Sequence, residues 1–249
     1  MKEICLVYVR PEEGCFFMDI VFAITLGIMV ILWFVAFLNV YYKNKESNKY
    51  TNITRFLVRV AVFGAISTLL YVVPVLKFPV PFFPQFLEFH FDEIPAFIAG
   101  FAYGPLSALG VLFIKTIIKL PFSSTLCVGE LSDFIYSVAF ILPAAFIYKH
   151  NRKFKGAMSG LLIGTFTQLV VSTLSNIYLM IPFYMFMYNM DESQLLYLCQ
   201  LANPNIDNIG WAYGLMAVLP FNAIKDIVVV IITMIVYKST HKFIDKLQA

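Results

Sequence analysis

Long apolar runs, broken by short charged stretches, constrain this sequence more than any other feature. Four of them cover residues 17–41, 56–76, 157–185 and 211–237, and a shorter one covers 134–148. A helix of about 20 apolar residues is long enough to cross the hydrocarbon core of a bilayer. The chain is 60% hydrophobic and only 13% charged, whereas soluble domains average about 45–50% and about 25%. These features predict an all-α integral membrane protein.

Two shorter helices are predicted in the apolar segment 94–120, because the dipeptide Gly104–Pro105 interrupts it. Proline in a helix interior removes a backbone hydrogen bond and clashes with the preceding turn. We therefore expect two helices with a tight turn between them. The preceding segment, 77–93, is rich in proline and aromatic residues and is predicted to be a loop at one membrane face. Counting both short helices gives seven membrane segments.

Basic residues mark one side of the predicted bundle. They occur in the linker after the first apolar run, in the turn after residue 148 and in the C-terminal tail. These residues are Lys43, Lys45, Lys49, Arg55, Lys149, Arg152, Lys153, Lys155, Lys238, Lys242 and Lys246. Seven segments place all three regions on one side, which the positive-inside rule assigns to the cytoplasm. The sequence predicts a multi-pass protein of the cell membrane, with its N-terminus outside and its C-terminus in the cytoplasm.

Polar side chains interrupt the apolar runs near their outer ends. A charged side chain at mid-bilayer costs about 2.5–3.5 kcal/mol on insertion, so it usually faces a cavity or the protein interior. Asn222 and Lys225 are three residues apart and share one helix face, and Asn176 lies toward the outer half of the preceding long helix. Alternatively, Lys225 and Asp226 snorkel to the interface and Asn222 caps a helix turn. For Asn176, the separate alternative is a hydrogen bond that joins two helices.

Acidic residues lie where two outer loops enter helices. Asp92 and Glu93 precede the third membrane segment, and Glu130 and Asp133 precede the fifth. Carboxylates at a helix N-terminus are stabilised by the positive end of the helix dipole. These residues are therefore either helix-start residues or contacts for a ligand at the outer face.

The remaining ionisable and reactive residues form no recognised catalytic pattern. Lys115 and Lys119 are expected to snorkel to the interface. The chain has no HExxH, GxSxG or Walker A sequence, and its three histidines are scattered. Its four cysteines are interpreted as free thiols, with a Cys5–Cys15 pair as the alternative if their segment lies outside. The net charge of +3 is too small to indicate a nucleic-acid partner. The sequence predicts a non-enzymatic protein, without a cofactor, whose outward-facing aromatic pocket takes a flat, polar-edged small molecule.

Four segments, in order, resemble the S components of energy-coupling factor (ECF) vitamin transporters. They are FPVPFFPQFLEFHFDEIPAFIAGFAYGPLSALGVLFIK, VGELSDFIYSVAFILPAAFIYK, STLSNIYLMIPFY and LPFNAIKDIVV, of which the last three resemble the riboflavin-specific members most. The resemblance extends from about Val58 to the C-terminus. It implies a six-helix S-component domain over residues 55–249. Residues 1–54 would be an N-terminal extension with a basic linker and an extra membrane helix, unless the chain starts at Met18.

The resemblance also implies a function and a set of residues. An S component captures its vitamin outside the cell and topples in the membrane to deliver it, driven by a transmembrane T component and two cytoplasmic ATPases. The amide and ammonium groups that bind riboflavin fall on Asn176, Asn222 and Lys225. Further candidate ligand contacts are Phe82, Phe83 and Phe86 in the covering loop, together with Glu130 and Asp133. Ala61 and Ala65, at small-xxx-small spacing, are the candidate contacts with the T component.

Two positions depart from the pattern of the riboflavin members. Thr116 follows Lys115 where those proteins often have asparagine, and Asp133 occupies another position where they commonly have asparagine. One alternative is therefore an S component for another vitamin, such as folate, thiamine or a queuosine precursor. The other is a membrane enzyme or a scaffold subunit without a small-molecule site.

Overall fold

A computed structural model describes residues 50–76, 78–80, 82–84, 87–123 and 125–248. The described α-helices are α1 (Tyr50–Val72), α2 (Glu93–Tyr103), α3 (Pro105–Lys119), α4 (Val128–His150), α5 (Phe154–Ser175), α6 (Ile181–Tyr188), α7 (Glu192–Ala202), α8 (Trp211–Tyr213) and α9 (Leu219–Gln248). Two short strands, β1 (Phe78–Pro79) and β2 (Glu88–Phe89), pair antiparallel. The predicted first membrane run, 17–41, lies outside the described residues.

Within the described ranges, five helical stretches are long and apolar enough to cross a membrane. They are Ile53–Val72, Pro105–Phe122, Val128–His150, Phe154–Tyr188 and Trp211–Ser239, and α2 is a shorter apolar helix. This confirms the prediction of an all-helical membrane architecture. The two short helices in segment 94–120 are also confirmed. They meet at Gly104, whose φ of 96° suits glycine, and Pro105 occupies the first position of α3.

Several helix bounds differ from those predicted: α1, for example, covers Tyr50–Val72 rather than 56–76. The helix expected to begin at Phe134 begins at Val128, because the hydroxyls of Ser123 and Thr125 accept the backbone N–H groups of Cys127 and Gly129. Helix α7 occupies a stretch that we expected to be a polar connection. It starts with a reciprocal capping box between Asp191 and Gln194. Hydropathy alone detects neither helix start, because each first turn contains residues such as Glu130 in α4 and Glu192 in α7 that interrupt an apolar run.

Wide turns precede α6 and α9. Residues Asn176–Met180 and Gly214–Val218 form π-helical segments, and each is followed within two residues by a proline, Pro182 or Pro220. Proline cannot donate to the preceding turn and its ring crowds the carbonyl four residues earlier, which a wider turn accommodates. The π segments pack against each other. They fix the backbone beside Asn176 and Asn222, the two asparagines singled out in the sequence.

Helices α4 and α5 pack closely because α5 carries glycine every fourth residue. A Cβ at Gly164 would lie 2.1 Å from the Phe140 carbonyl oxygen, and one at Gly160 would lie 2.8 Å from that of Ala144. Small residues at this spacing allow membrane helices to approach. The main apolar core lies alongside, formed by residues of α2, α3 and α4 such as Phe97, Phe101 and Phe140.

Candidate functional site

A buried ionic cluster joins α2, α3, α4 and α9. Its members are His90, Asp92, Glu93, Lys115, Asp133 and Lys225, all of which are buried. Lys115 is fully buried, and its ammonium group contacts Asp92 and donates to Asp133 Oδ2 and to Ser137 Oγ, each at 3.1 Å. The prediction that Lys115 snorkels to the interface is therefore wrong. The two carboxylates compensate the charge of Lys115 inside the bundle. They lie 23 and 18 residues away from it in sequence.

His90 connects this cluster to the end of the proline- and aromatic-rich segment 77–93, which we call the Pro/Phe-rich loop. Its Nδ1 contacts Asp92, and its Nε2 lies 3.5 Å from Asp133 Oδ1. Ser67 of α1 donates to the Asp92 carbonyl oxygen at 2.6 Å. Burial alone would raise the pKa of Asp92, but its interactions with His90 and Lys115 outweigh that effect and hold the pKa well below its usual range. Asp92 therefore links the loop and α3 through its carboxylate, and α1 through its backbone carbonyl.

Lys225 belongs to the same cluster through α2. Its Nζ lies 2.7 Å from Glu93 Oε1, and both side chains are buried. The snorkelling alternative for Lys225 and Asp226 is wrong, because the bundle buries both residues. The two oxygens of Asp226 have no hydrogen-bond partner in the described part of the chain. Asp226 thus does not share the ion pair of Lys225 with Glu93, as expected from its position about 100° around the helix.

A second polar region, which we call the amide stripe, lies between α5 and α9. Gln168, Ser172 and Asn176 recur at intervals of four along α5 and the residue that follows it, Thr173 is next to Ser172, and all four are buried. Gln168 Nε2 donates to Asn222 Oδ1 across the interface at 3.3 Å, and Asn222 Nδ2 donates to the Val218 carbonyl oxygen at 3.0 Å. Eight residues of helix separate Gln168 from Asn176, or about 12 Å. The stripe is therefore an elongated row of amide and hydroxyl groups.

Asn176 lies at one end of the stripe and also contacts α4. Its Nδ2 donates to the Tyr136 hydroxyl at 3.3 Å and to the Ser172 carbonyl oxygen at 2.9 Å. The Tyr136 contact is the interhelical hydrogen bond that we considered for this residue. The structure links Asn222 with Gln168 and Asn176 with Tyr136, whereas Lys225 contacts Glu93. The three predicted ligand residues are all buried, but they contact different neighbours.

Within the described residues, two stripe acceptors remain unused by the protein itself. Gln168 Oε1 and the Thr173 hydroxyl are buried without a hydrogen-bond partner. A buried polar group left without a partner costs about 1–3 kcal/mol. This unused capacity is what a polar-edged ligand could satisfy.

The predicted acidic contacts are engaged by the protein. Glu130 lies in the first turn of α4, and its Oε2 accepts from Ser123 Oγ at 2.6 Å and from Thr125 Oγ1 at 3.0 Å. Asp133 pairs with Lys115 and faces His90. Glu130 thus stabilises the start of α4, and Asp133 belongs to the ionic cluster.

The aromatic loop residues occupy different positions. Phe83 packs edge-on against Phe221, with ring centroids 5.4 Å apart, and Phe221 is next to Asn222. Phe82 is 83% exposed, and Phe86 lies outside the described residues. An open surface depression of about 530 Å³ lies elsewhere, between α6 and α7, and contains none of the predicted site residues.

Ala61 and Ala65 lie on the exposed side of α1. Gly64, between them, faces the bundle, where a Cβ would come within 3.0 Å of Ile114 of α3. One side of α1 therefore packs on α3, and no described residue covers the side with the two alanines.

The sequence interpretation missed Gln168 and His90 as site residues. The spacing of Gln168, Ser172 and Asn176 marks one helical face, so the four-residue period could have identified Gln168. His90 has no such signal, because its partners come from a loop neighbour and from a helix some 40 residues later.

The comparisons with known proteins agree with one another. A family model described as "ECF transporter, substrate-specific component" matches residues 55–237. The chain is 29% identical over 189 residues to the riboflavin transporter RibU of Staphylococcus aureus (strain TCH60), covering 76% of this chain and 93% of that protein. It is 28% identical over 192 residues to the riboflavin transporter FmnP of Bacillus subtilis (strain 168), covering 76% and 94%.

A solved structure supports the same assignment. It is the structure of the S component of a bacterial ECF transporter, 27% identical, with a TM-score of 0.59 over 76% of this chain and 97% of that chain. These matches confirm the predicted resemblance and identify a transporter component rather than an enzyme. The chain belongs to the family of substrate-specific components of ECF transporters.

Proposed function

We propose that this chain captures riboflavin from outside the cell and delivers it inward as the S component of an ECF importer. The relatives named above are riboflavin transporters, and their similarity covers more than nine-tenths of each. The observation that carries the proposal is the amide stripe, because it buries two acceptors that the described protein leaves unpaired.

Riboflavin matches the chemistry of this stripe. The isoalloxazine ring presents carbonyl acceptors and a ring N–H along one edge, and the ribityl chain presents hydroxyls. Asparagine and glutamine amides both donate and accept, so Gln168, Asn176 and Asn222 can satisfy such edges. The ring N–H and the ribityl hydroxyls are suitable donors to Gln168 Oε1 and the Thr173 hydroxyl. The apolar end of the ring would lie against aromatic side chains such as Phe83 and Phe221.

Lys225 has a different part in this proposal. Its ammonium group already pairs with Glu93 at 2.7 Å, so it can donate a second hydrogen bond to the vitamin without leaving its carboxylate. Asp133 is also paired, with Lys115. The charge that departs from the riboflavin pattern is therefore compensated within the protein, which favours riboflavin over a vitamin that needs a free carboxylate in the pocket.

The Pro/Phe-rich loop is proposed to cover the bound vitamin. Its far end is held by the ionic cluster through His90, and Phe83 reaches the aromatic group beside Asn222. Phe82, exposed at the loop tip, and Phe86 are proposed to contact the ring when the loop covers it. Glu130 is proposed to act indirectly, by fixing the loop that enters α4.

Transport requires partners and a direction. The chain contains no Walker A sequence, so we propose that a T component and two cytoplasmic ATPases energise it. Ala61 and Ala65 on the exposed side of α1 are the proposed contact, because small residues let membrane helices approach. From the loop charges we propose that the C-terminus lies in the cytoplasm and the vitamin site at the outer face. Residues 17–41 are proposed as an additional membrane helix.

The bound small molecule identifies the function most directly. Protein purified from cells grown in rich medium should be yellow, and mass spectrometry of the extracted ligand should detect riboflavin. Vitamin-free protein should then bind riboflavin at micromolar concentration or below and gain thermal stability with it. Folate and thiamine serve as competitors. A colourless protein that is stabilised by another vitamin, or by none, would contradict the riboflavin assignment and leave the family assignment intact.

A further inference from the structure

We propose that His90, Glu93 and Asp133 form a binding site for a divalent transition-metal cation such as Zn²⁺. One candidate ligand atom from each of these buried residues lies within 4.8 Å of the other two. They come from three places: the residue after β2, the first turn of α2 and the second turn of α4. An imidazole with two carboxylates is a donor set that zinc and related first-row metals accept.

Both carboxylates turn an oxygen toward His90 that no lysine occupies. Lys225 Nζ lies 2.7 Å from Glu93 Oε1, whereas Glu93 Oε2 lies 3.9 Å from His90 Nδ1. Lys115 Nζ lies 3.1 Å from Asp133 Oδ2, whereas Asp133 Oδ1 lies 3.5 Å from His90 Nε2. A cation bound to His90 Nε2 and to these two carboxylate oxygens would leave both lysine contacts in place and would leave Nδ1 with Asp92.

The second oxygen of Glu93 is the independent observation that points to a ligand. Glu93 is only 1% exposed, and its Oε2 has no hydrogen-bond partner among the residues that the structure describes. Leaving a buried carboxylate oxygen without a partner is unfavourable. A bound cation would satisfy it.

The surroundings of His90 suit a metal ligand. Asp92 contacts the Nδ1 atom, and a carboxylate at this position favours the tautomer whose Nε2 carries the free lone pair. That Nε2 is the atom nearest Asp133. The Asp133 side chain is the most exposed of the three, at 12%.

The charge of the cluster also favours a cation. Three carboxylates (Asp92, Glu93 and Asp133) face two ammonium groups, so one negative charge is left over when the imidazole is neutral. The two lysines weaken the attraction compared with a site that lacks them. A bound metal would tie the end of the Pro/Phe-rich loop to α2 and α4. This proposal rests on the cluster alone and does not depend on which vitamin the chain binds.

Cobalt provides a direct test, because Co²⁺ in a protein site absorbs visible light. The protein is prepared without a histidine tag, stripped of metal and flavin, and titrated with Co²⁺ in detergent. We expect a saturable visible band that Zn²⁺ abolishes, and a rise in Tm with Zn²⁺ but not with equimolar Mg²⁺. His90→Ala and Asp133→Asn should each weaken Co²⁺ binding at least tenfold. His150→Ala removes an exposed histidine at the far end of α4 and should leave binding unchanged.

The result that overturns the proposal is equally direct. If the unmodified protein shows neither a Co²⁺ band nor a Zn²⁺-dependent rise in Tm, the cluster binds no metal ion and its carboxylates pair only with protein groups. Equal losses in His90→Ala and His150→Ala would place the metal elsewhere. If His90→Ala fails to fold, Asp133→Asn decides the matter, because its amide oxygen still accepts from Lys115. Riboflavin binding by the metal-free protein is measured in parallel, so that failure of the vitamin proposal is recognised separately.

Discussion

The ionic cluster around Lys115 and the amide stripe on α5 bury polar groups in the same bundle in different ways. In the cluster, charged groups from different elements pair with one another: Lys115 contacts two carboxylates and a serine, and Lys225 contacts Glu93. In the stripe the groups are neutral, and Gln168 Oε1 and the Thr173 hydroxyl find no partner in the described protein. The difference separates two tasks. Paired charges hold helices together, and unpaired neutral groups are available to a ligand.

Loss of Lys115 should have the largest effect on the fold. Lys115→Leu leaves Asp92 and Asp133 without their ammonium partner, and removing one partner from a buried ion pair costs about 3–5 kcal/mol. We expect a large fall in the thermal unfolding temperature in detergent and a lower yield of monodisperse protein on size exclusion. Lys149→Leu, at the exposed end of α4, is the control. Equal unfolding temperatures for the two variants would show that the cluster does not hold the helices together.

Gln168→Leu should act mainly on ligand binding. The change removes the stripe acceptor that we assign to riboflavin, and the loss should be about 1–3 kcal/mol, or roughly 5- to 150-fold in Kd. Quenching of flavin fluorescence measures it. Phe166→Leu, on the exposed side of the same helix, should bind as the unmodified protein does. A Gln168→Leu protein with unchanged affinity would mean that the stripe is structural, like the cluster.

Ser137→Ala tests the cluster more gently. Lys115 keeps both carboxylates and loses one hydroxyl acceptor at 3.1 Å, so the stability loss should be about 1 kcal/mol, with riboflavin affinity unchanged. Denaturation in detergent compared with the exposed-site variant Ser159→Ala measures the difference. A loss of affinity without a loss of stability would place Ser137 in the ligand site instead.

Thr173→Val should have the smallest effect on the vitamin-free protein. The substitution keeps the shape and removes a hydroxyl that has no partner within the described residues, so the Tm should stay the same or rise slightly. Riboflavin affinity should fall a few-fold. A clear fall in the Tm of the vitamin-free protein would show that the hydroxyl is already satisfied there.

The sequence predicted the membrane helices well because they depend on local composition. The apolar runs located the spans, and Gly104–Pro105 located the break between α2 and α3. The same approach missed α7 and the true start of α4, because capping side chains rather than hydropathy define those helix starts.

The sites were predictable only in part. Asn176 and Asn222 stood out as amides in apolar runs, and both lie in the interior. The environment of Lys115 was not predictable, because the side chains that neutralise it come from other elements. From sequence alone, a lysine near the end of an apolar helix is predicted to snorkel. Only the three-dimensional structure shows its carboxylate partners.

Riboflavin titration of Asn222→Leu tests the central claim most directly. Asn222 accepts a hydrogen bond from Gln168 at 3.3 Å and is next to Phe221 in sequence. It therefore connects the amide stripe with the aromatic pair Phe83 and Phe221. We predict saturable riboflavin binding by the unmodified protein and affinity at least tenfold weaker in Asn222→Leu, with both proteins equally monodisperse. Equal affinities, or no riboflavin binding by the unmodified protein, would contradict the assignment of the stripe as the vitamin site.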